Sequence, residues 1–136
     1  MKSLILDTHI FIWATQKSNR IKPKIWKLLE DERNLLFVSA ASLWETAYLL
    51  DTRPKEFKID KPLADFWNES LQEMRVQILN ITPEHAQRFY EIQPIKDHFD
   101  QFDRMIIAQA ASTGIPVVSN DGKFPAYKMI QLIENI

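Results

Sequence analysis

The sequence predicts a single α/β domain, residues 1–136, built as three layers around a central parallel sheet. Short apolar runs typical of strands alternate along the chain with longer stretches of helical periodicity, which is typical of a parallel sheet with helices on both faces. A chain of 136 residues is long enough to bury one such core. No internal repeat, low-complexity tract or linker divides it.

The first half of the chain alternates strand and helix twice. Leu4-Ile5-Leu6 is an apolar run that ends at Asp7. Pro23 suits the first turn of a helix, where its missing N–H costs nothing, and Ser39 is a favourable N-cap for the next helix. The predicted elements are a strand at 3–6, a helix from about 23, a strand at 35–38 and a helix at 41–50.

The second half continues the alternation after a polar loop at 53–61. Thr82-Pro83-Glu84 combines an N-cap, a first-turn proline and an acid that the helix dipole favours. Asp100 is a second N-cap, and Gly114 can supply the left-handed residue that ends that helix. The predicted elements are a helix from about 62 to 74, a strand at 76–79, a helix from 83, a helix from 100 to 112, a strand at 117–118 and a short strand at 129–133.

Composition excludes several classes of protein. The chain has no cysteine, so it forms neither a disulfide framework nor a thiolate metal site. Its 2 glycines are too few for the glycine-rich loops that bind nucleotide phosphates. No apolar segment approaches the roughly 18 residues that a membrane helix needs, and the N-terminus lacks the layout of a signal peptide. We therefore expect a soluble cytoplasmic protein.

Four carboxylates are expected to meet at one edge of the sheet. Asp7 and Asp121 follow predicted strands, and in open parallel sheets ligands bind beyond the carboxyl ends of the strands. Glu45 and Asp103 are predicted in the first turns of helices that begin at the same edge. Carboxylates are rarely buried unless they are paired or bound to metal, and no basic partner is evident. The cluster therefore favours a divalent cation and a metal-dependent hydrolase of phosphodiesters.

Each acid also has a simpler explanation. Asp7 and the Asp121-Gly122 pair are common turn formers. Asp103 suits the first turn of a helix because of the helix dipole, and Glu45 is compatible with a solvated helix position. All four explanations must hold together for the site to disappear, so the metal cluster is the preferred hypothesis.

The basic residues form two groups. The segment between Asp7 and Glu30 contains no acid and holds Lys17, Arg20, Lys22, Lys24 and Lys27, and a looser group consists of Arg53, Lys55, Lys58 and Lys61. A net charge of −1 argues against binding nucleic acid by charge alone. The groups are either solvated faces or a rim that contacts phosphates around an acidic centre, and composition does not decide between these interpretations.

Other candidate residues carry weaker signals. His9, His85 and His98 lack the spacing of zinc ligands, and the serines lack a nucleophile elbow. The tryptophans occupy helical or apolar positions, where core or interface packing is favoured over base stacking; these are Trp13, Trp26, Trp44 and Trp67.

Four segments resemble the PIN-domain family, and most closely its VapC-type toxins of prokaryotic toxin–antitoxin pairs. The segments are Leu6-Asp7-Thr8-His9, Val38-Ser39-Ala40-Ala41-Ser42-Leu43-Trp44-Glu45, Asp100-Gln101-Phe102-Asp103-Arg104-Met105-Ile106-Ile107-Ala108-Gln109-Ala110 and Ser119-Asn120-Asp121. The resemblance extends over essentially the whole chain, and the segments occur in the family's order and at its usual spacings. Gln101 departs from the proline usual at its position, which lies in a first helical turn where proline is favoured and not required.

The resemblance implies a PIN-like domain with Mg²⁺- or Mn²⁺-dependent endoribonuclease activity, in which a metal-activated water hydrolyses an RNA phosphodiester. The family's catalytic and metal-binding acids fall on Asp7, Glu45, Asp103 and Asp121, with Asp100 and Ser119 as auxiliary site members. The resemblance also implies a cognate antitoxin and a homodimer. The exposed contact candidates expected from the sequence are Trp13, Ile21, Trp26 and Tyr48.

Two other functions stay open at this point. In one, the protein is a catalytically silent binding partner whose acids receive basic side chains of another protein. In the other, it is a structure-selective DNA nuclease, since PIN-like folds include such enzymes.

Overall fold

A computed structural model describes residues 1–95, 97–98 and 100–136 of the chain. The strands are β1 (Ser3–Leu6), β2 (Leu35–Ser39), β3 (Val76–Leu79), β4 (Val117–Ser119) and β5 (Leu132–Glu134). The helices are α1 (Thr8–Thr15), α2 (Pro23–Glu30), α3 (Ala40–Thr52), α4 (Leu63–Met74), α5 (Pro83–Glu91) and α6 (Gln101–Thr113), and a 3₁₀ turn spans Phe124–Ala126. The α/β class and the parallel sheet predicted from the sequence are confirmed.

The strands form one parallel sheet in the order β3–β2–β1–β4–β5. In the register of the central strand, Leu6 lies opposite Val38 of β2 and Val118 of β4. β1 and β4 are therefore neighbours, as the convergence of the acids required. Their carboxyl ends lie side by side at one edge of the sheet.

Alternation along β1 distributes its side chains to the two faces of the sheet. Leu4 and Leu6 join the core that contains α1, α2 and Phe66 of α4. Ile5 joins the opposite core, which contains α6 and the 3₁₀ turn. Because all three side chains are fully buried, the strand that carries Asp7 is held from both sides.

The predicted caps place the helices that begin at the site edge. Ser39 Oγ accepts the backbone N–H of Ala41 at 3.0 Å, and Asp100 Oδ1 accepts that of Asp103 at 2.9 Å. Gly114 ends α6 in the left-handed conformation with φ of 74°. The capping roles predicted for Ser39, Asp100 and Gly114 are confirmed.

The structure corrects three expectations. Helix α1 was not predicted, because Ile10, Phe11, Ile12 and Ala14 are all buried and the segment lacks a polar face with helical period. The last strand begins at Leu132 and not at 129. Ile21, expected to be exposed, is buried in the core shared by α1 and α2. No helix in the described part of the chain is long and apolar enough to cross a bilayer.

Candidate active site

The pairing of β1 with β4 brings Asp7 and Ser119 together. The Asp7 backbone N–H donates to the carbonyl oxygen of Val118 at 3.0 Å, and Ser119 Oγ donates to Asp7 Oδ2. The other carboxylate oxygen of Asp7 caps α1 by accepting the Ile10 N–H at 2.8 Å. Both oxygens of this buried carboxylate are thus held in place.

Ser119 also connects Asp7 with the fourth acid. Its Oγ accepts the backbone N–H of Asp121 at 2.9 Å, so a single hydroxyl bridges the Asp7 carboxylate and the Asp121 backbone. The Asp121 side chain accepts the N–H of Lys123 at 2.8 Å, which orders the turn after β4. This geometry is consistent with the auxiliary role that the sequence suggested for Ser119.

The two remaining acids come from helices that start near the same edge. Asp103 lies in the first turn of α6, as predicted. Glu45 lies in the second turn of α3 and not in the first, because the helix begins at Ala40 directly after β2. The Glu45 side chain is nevertheless buried, and α3 packs against both α1 and α6.

The pKa shifts show that the acids share one electrostatic environment. Burial, together with the negative charges of Asp100, Glu45, Asp121 and Asp7, raises the pKa of Asp103 to about 9, and burial is the largest of these causes. Burial also raises the pKa of Glu45 and that of Asp7. In the metal-free protein the cluster therefore holds a proton on Asp103 near neutral pH.

His98 belongs to the same cluster, which the sequence analysis did not predict. Its Nε2 lies 3.5 Å from Asp103 Oδ2, and one ligand atom from each of His98, Asp103 and Asp121 lie within 4.8 Å of one another. The histidines were rejected because their spacing matches no zinc motif. His98 lies in the loop before α6, and its position close to Asp100 and Asp103 in the chain was the only signal available.

Tyr127 determines how His98 meets the acids. The Tyr127 hydroxyl lies 2.8 Å from His98 Nδ1 and accepts the Ile95 N–H at 3.3 Å. One ring nitrogen of His98 therefore faces the Tyr127 hydroxyl and the other faces the Asp103 carboxyl, and the tautomer of the neutral imidazole sets which partner donates in each contact. Burial lowers the pKa of His98, which favours this neutral form. His98 thus links Asp103 to Tyr127.

The donor set fits a hard divalent cation. Carboxylate oxygens are the ligands that Mg²⁺ and Mn²⁺ prefer. Glu45 Oε1 is buried and has no hydrogen-bond partner among the described residues, a costly state for a carboxylate oxygen that a bound cation would relieve. Among the ion pairs within the described ranges, none joins a lysine or arginine to Asp7, Glu45, Asp103 or Asp121.

Comparison with known proteins agrees with this architecture. The family model described as PIN domain matches residues 4–129. The chain belongs to the PIN domain family. A comparison with curated protein sequences finds no significant match.

Several solved structures share the PIN fold of this chain. VapBC2 from Rickettsia felis bound to a promoter DNA fragment contains a chain with a TM-score of 0.71 and 18% identity, covering 97% of this chain and 98% of that one. DNA-bound VapBC from Salmonella typhimurium contains a chain with a TM-score of 0.64 and 21% identity, and the match covers 100% of this chain and 100% of that one. Mycobacterium tuberculosis VapC20, described as a sarcin–ricin loop cleaving toxin, has a TM-score of 0.62 and 16% identity, and the match covers 94% of this chain and 97% of that one. At these identities the likeness extends to the fold alone.

The raised pKa of Asp103 predicts a falling stability with rising pH in chelator. Its folded-state pKa of about 9 exceeds the ordinary 3.8, so the protonated folded form contributes stability at low pH that is lost as pH rises through 9. Thermal melts between pH 7 and 9 should show wild-type melting temperature falling. The melting temperature of Asp103→Asn should fall less over this range, because asparagine does not ionise, and at pH 9 it should be higher than that of the wild type.

The matched control for this measurement is Asp51→Asn, which removes one negative charge from an exposed position of α3. It should keep the wild-type slope. Equal pH slopes for wild type and Asp103→Asn would show that Asp103 does not carry the proton.

Proposed function

We propose that the protein is a metal-dependent endoribonuclease and the toxin of a toxin–antitoxin pair. The observation that carries the proposal is the buried Oε1 of Glu45, which has no hydrogen-bond partner among the residues that the structure describes. It lies beside a cluster in which burial and the charges of Asp100, Asp121 and Asp7 raise the pKa of Asp103. Membership in the PIN domain family supports a nuclease. Three structures with this fold have VapBC or VapC in their descriptions, and one of them is described as a cleaving toxin.

Asp7, Glu45 and Asp103 are the residues we propose as metal ligands, with Asp121 as a supporting or second-site acid. When bound, Mg²⁺ or Mn²⁺ supplies Lewis-acid activation of water and neutralises charge on the phosphate oxygens. Ser119 orients the Asp7 carboxylate through its hydroxyl, and His98 orients Asp103 through Nε2. Asp103 must release its proton for the acids to act as ligands, so activity should increase with pH through the neutral range.

RNA is the substrate class that we propose, following the family resemblance. The acids themselves read no sequence, so selectivity must come from surrounding side chains and from the shape of the RNA. Arg20, Lys22, Lys24 and Lys27 are exposed and could contact phosphates. Arg20 is the member of this group that contacts the surroundings of the acids, through Trp13, and we propose it as part of the phosphate-contacting rim.

The proposal predicts RNA cleavage that depends on the acids. With Mg²⁺ or Mn²⁺ the wild type should cleave single-stranded RNA, and Asp7→Asn or Asp103→Asn should lower the rate by at least about 10²-fold, as for loss of a charge-stabilising group. Asparagine is also a good N-cap, so Asp7→Asn preserves the start of α1. Gel assays of RNA and DNA oligonucleotides provide the measurement.

Asp51→Asn serves again as the charge-matched control and should cleave at the wild-type rate. Undiminished cleavage by both site variants, with contaminating nucleases excluded, would refute the assignment. Cleavage of DNA in place of RNA would favour a structure-selective DNA nuclease, and no cleavage of either would favour the binding partner.

Metal binding should be visible without substrate. Binding to the folded state alone stabilises a protein by about 2.7 kcal/mol at a hundredfold excess of ligand over its Kd. Mn²⁺ should therefore raise the melting temperature of the wild type, and raise that of Asp103→Asn much less. An equal shift in both proteins would mean that Mn²⁺ binds elsewhere.

We also propose a homodimer and a cognate antitoxin as partners. Trp44 and Tyr48 form an aromatic patch on α3, exposed by 57% and 50%. Trp44 packs edge-to-face against Phe102 of α6, and Tyr48 contacts the same ring in a tilted arrangement. Exposed aromatic side chains of this kind are typical anchors of protein interfaces. Trp13 and Trp26 are half-buried and present less surface.

Light scattering tests the dimer. At tens of micromolar the wild type should have the mass of a dimer, whereas the double variant Trp44→Ser, Tyr48→Ser should be monomeric because it removes the patch. Tyr90→Ser removes a tyrosine of α5 that is 80% exposed and should leave the mass unchanged. A monomeric wild type that also purifies from its host without any small partner would contradict the proposal.

A further inference from the structure

A small pocket opens directly beside the acid cluster. Its volume is about 190 Å³, and it is lined by Asp7, His9, Trp13, Asn120 and Asp121. His9 and Trp13 lie one turn apart on α1, with ring centroids 5.8 Å apart. The pocket therefore adjoins Asp7 and Asp121 on one side and two aromatic rings on the other.

The lining determines what kind of ligand can enter. Beside the two acids, the lining consists of an indole, an imidazole and a carboxamide, which are groups that stack on or hydrogen-bond to a planar molecule with polar edges. The volume is below the roughly 300–1,000 Å³ of pockets that hold drug-sized ligands. A single ring system with polar edges matches this lining and volume better than a peptide or an extended ligand.

We propose that this pocket binds one base of the nucleic acid strand, that of the nucleotide next to the phosphate held at the acids. The proposal rests on the proposed function, because it assumes that the acids act on a nucleic acid. It assigns Trp13 to base stacking, whereas the sequence favoured core or interface packing. Both roles are compatible, since the half-buried indole packs against the core and also lines the pocket.

Arg20 supplies the positive charge that a neighbouring phosphate needs. Its guanidinium carbon lies 5.4 Å from the centre of the Trp13 ring, in the range of a cation–π contact. The backbone beside it is fixed, because Asn135 Nδ2 donates to the carbonyl oxygen of Arg20 at 2.8 Å and Asn135 Oδ1 accepts the Lys22 N–H at 2.8 Å. The loop after α1 thus holds a cation at the border of the pocket.

Asn120 is placed to read the edge of the base. Its Oδ1 accepts a hydrogen bond from Asn135 Nδ2 at 3.2 Å, so the Nδ2 hydrogens are the side-chain donors that Asn120 can offer a ligand. Guanine, uracil and cytosine present an exocyclic carbonyl oxygen to such a donor, whereas the exocyclic group of adenine is itself a donor. The pocket should therefore favour a base with an exocyclic carbonyl oxygen over adenine at one position beside the cut.

The first experiment measures base preference at the cut. Wild type should cleave a single-stranded RNA library with a bias at one position, read by sequencing the product ends. Asn120→Ala should flatten that bias, and Trp13→Leu should raise KM by at least about five-fold with a smaller change in kcat, since base stacking mainly contributes binding. Asn19→Ala and Trp26→Leu change the same residue types outside the pocket and should behave as wild type.

The second experiment needs no cleavage. NMR signals of the tryptophan indole N–H groups are followed during titration with guanosine 5′-monophosphate, uridine 5′-monophosphate and ribose 5-phosphate, with Trp13 assigned from its loss in Trp13→Phe. The Trp13 signal should move with the nucleotides and not with ribose 5-phosphate. Movement with all three compounds would indicate phosphate binding and would overturn the base assignment.

The two experiments separate failure of this proposal from failure of the proposed function. If the protein cleaves RNA but Asn120→Ala and Trp13→Leu leave both the bias and KM unchanged, the pocket is not a base site. If RNA is not cleaved and Trp13 still responds to nucleotides alone, the endoribonuclease proposal fails while the base site stands. Absence of any Trp13 response to nucleotides overturns the pocket proposal in either case.

Discussion

The structure depends on the parallel pairing of β1 with β4. That pairing places Asp7 beside Ser119, and the hydrogen bond between their side chains fixes one carboxylate oxygen while α1 fixes the other. The same serine holds the Asp121 backbone. This one strand contact therefore supports three features: the start of α1, the turn after β4 and the centre of the acid cluster.

The acid cluster is costly to the fold that carries it. Burial raises the pKa of Asp7, Glu45 and Asp103, which means that the folded state disfavours their charged forms. This cost in folding stability arises at the end of β1, whose Leu4, Ile5 and Leu6 are fully buried between two cores. Such a trade of stability for a functional arrangement is common at active sites, and the His98–Tyr127 pair adds neutral hydrogen bonding without further charge.

The features that the sequence predicted correctly are those that depend on residues close together in the chain. Strand ends and helix termini have local sequence signals, and these signals predict the acids after the strands, the N-caps Ser39 and Asp100 and the left-handed Gly114. The edge of the sheet at which the acids meet was therefore predictable. Helix α1 was not, because a helix buried on most sides has no amphipathic period. His98 was missed for a different reason: its contacts with Asp103 and Tyr127 come from tertiary packing of a loop, which no spacing rule encodes.

The contact between Ser119 and Asp7 joins residues 112 positions apart, and that between Asn135 and Arg20 joins residues 115 apart. Contacts of such separation carry a large entropic cost of loop closure and are associated with slower folding. The strands β4 and β5 also bring Ser119, Asp121 and Asn135 to their places as a group. A transient detachment of these two strands would remove Ser119 and Asp121 from the acid cluster, and Asn120 and Asp121 from the neighbouring pocket, in a single step.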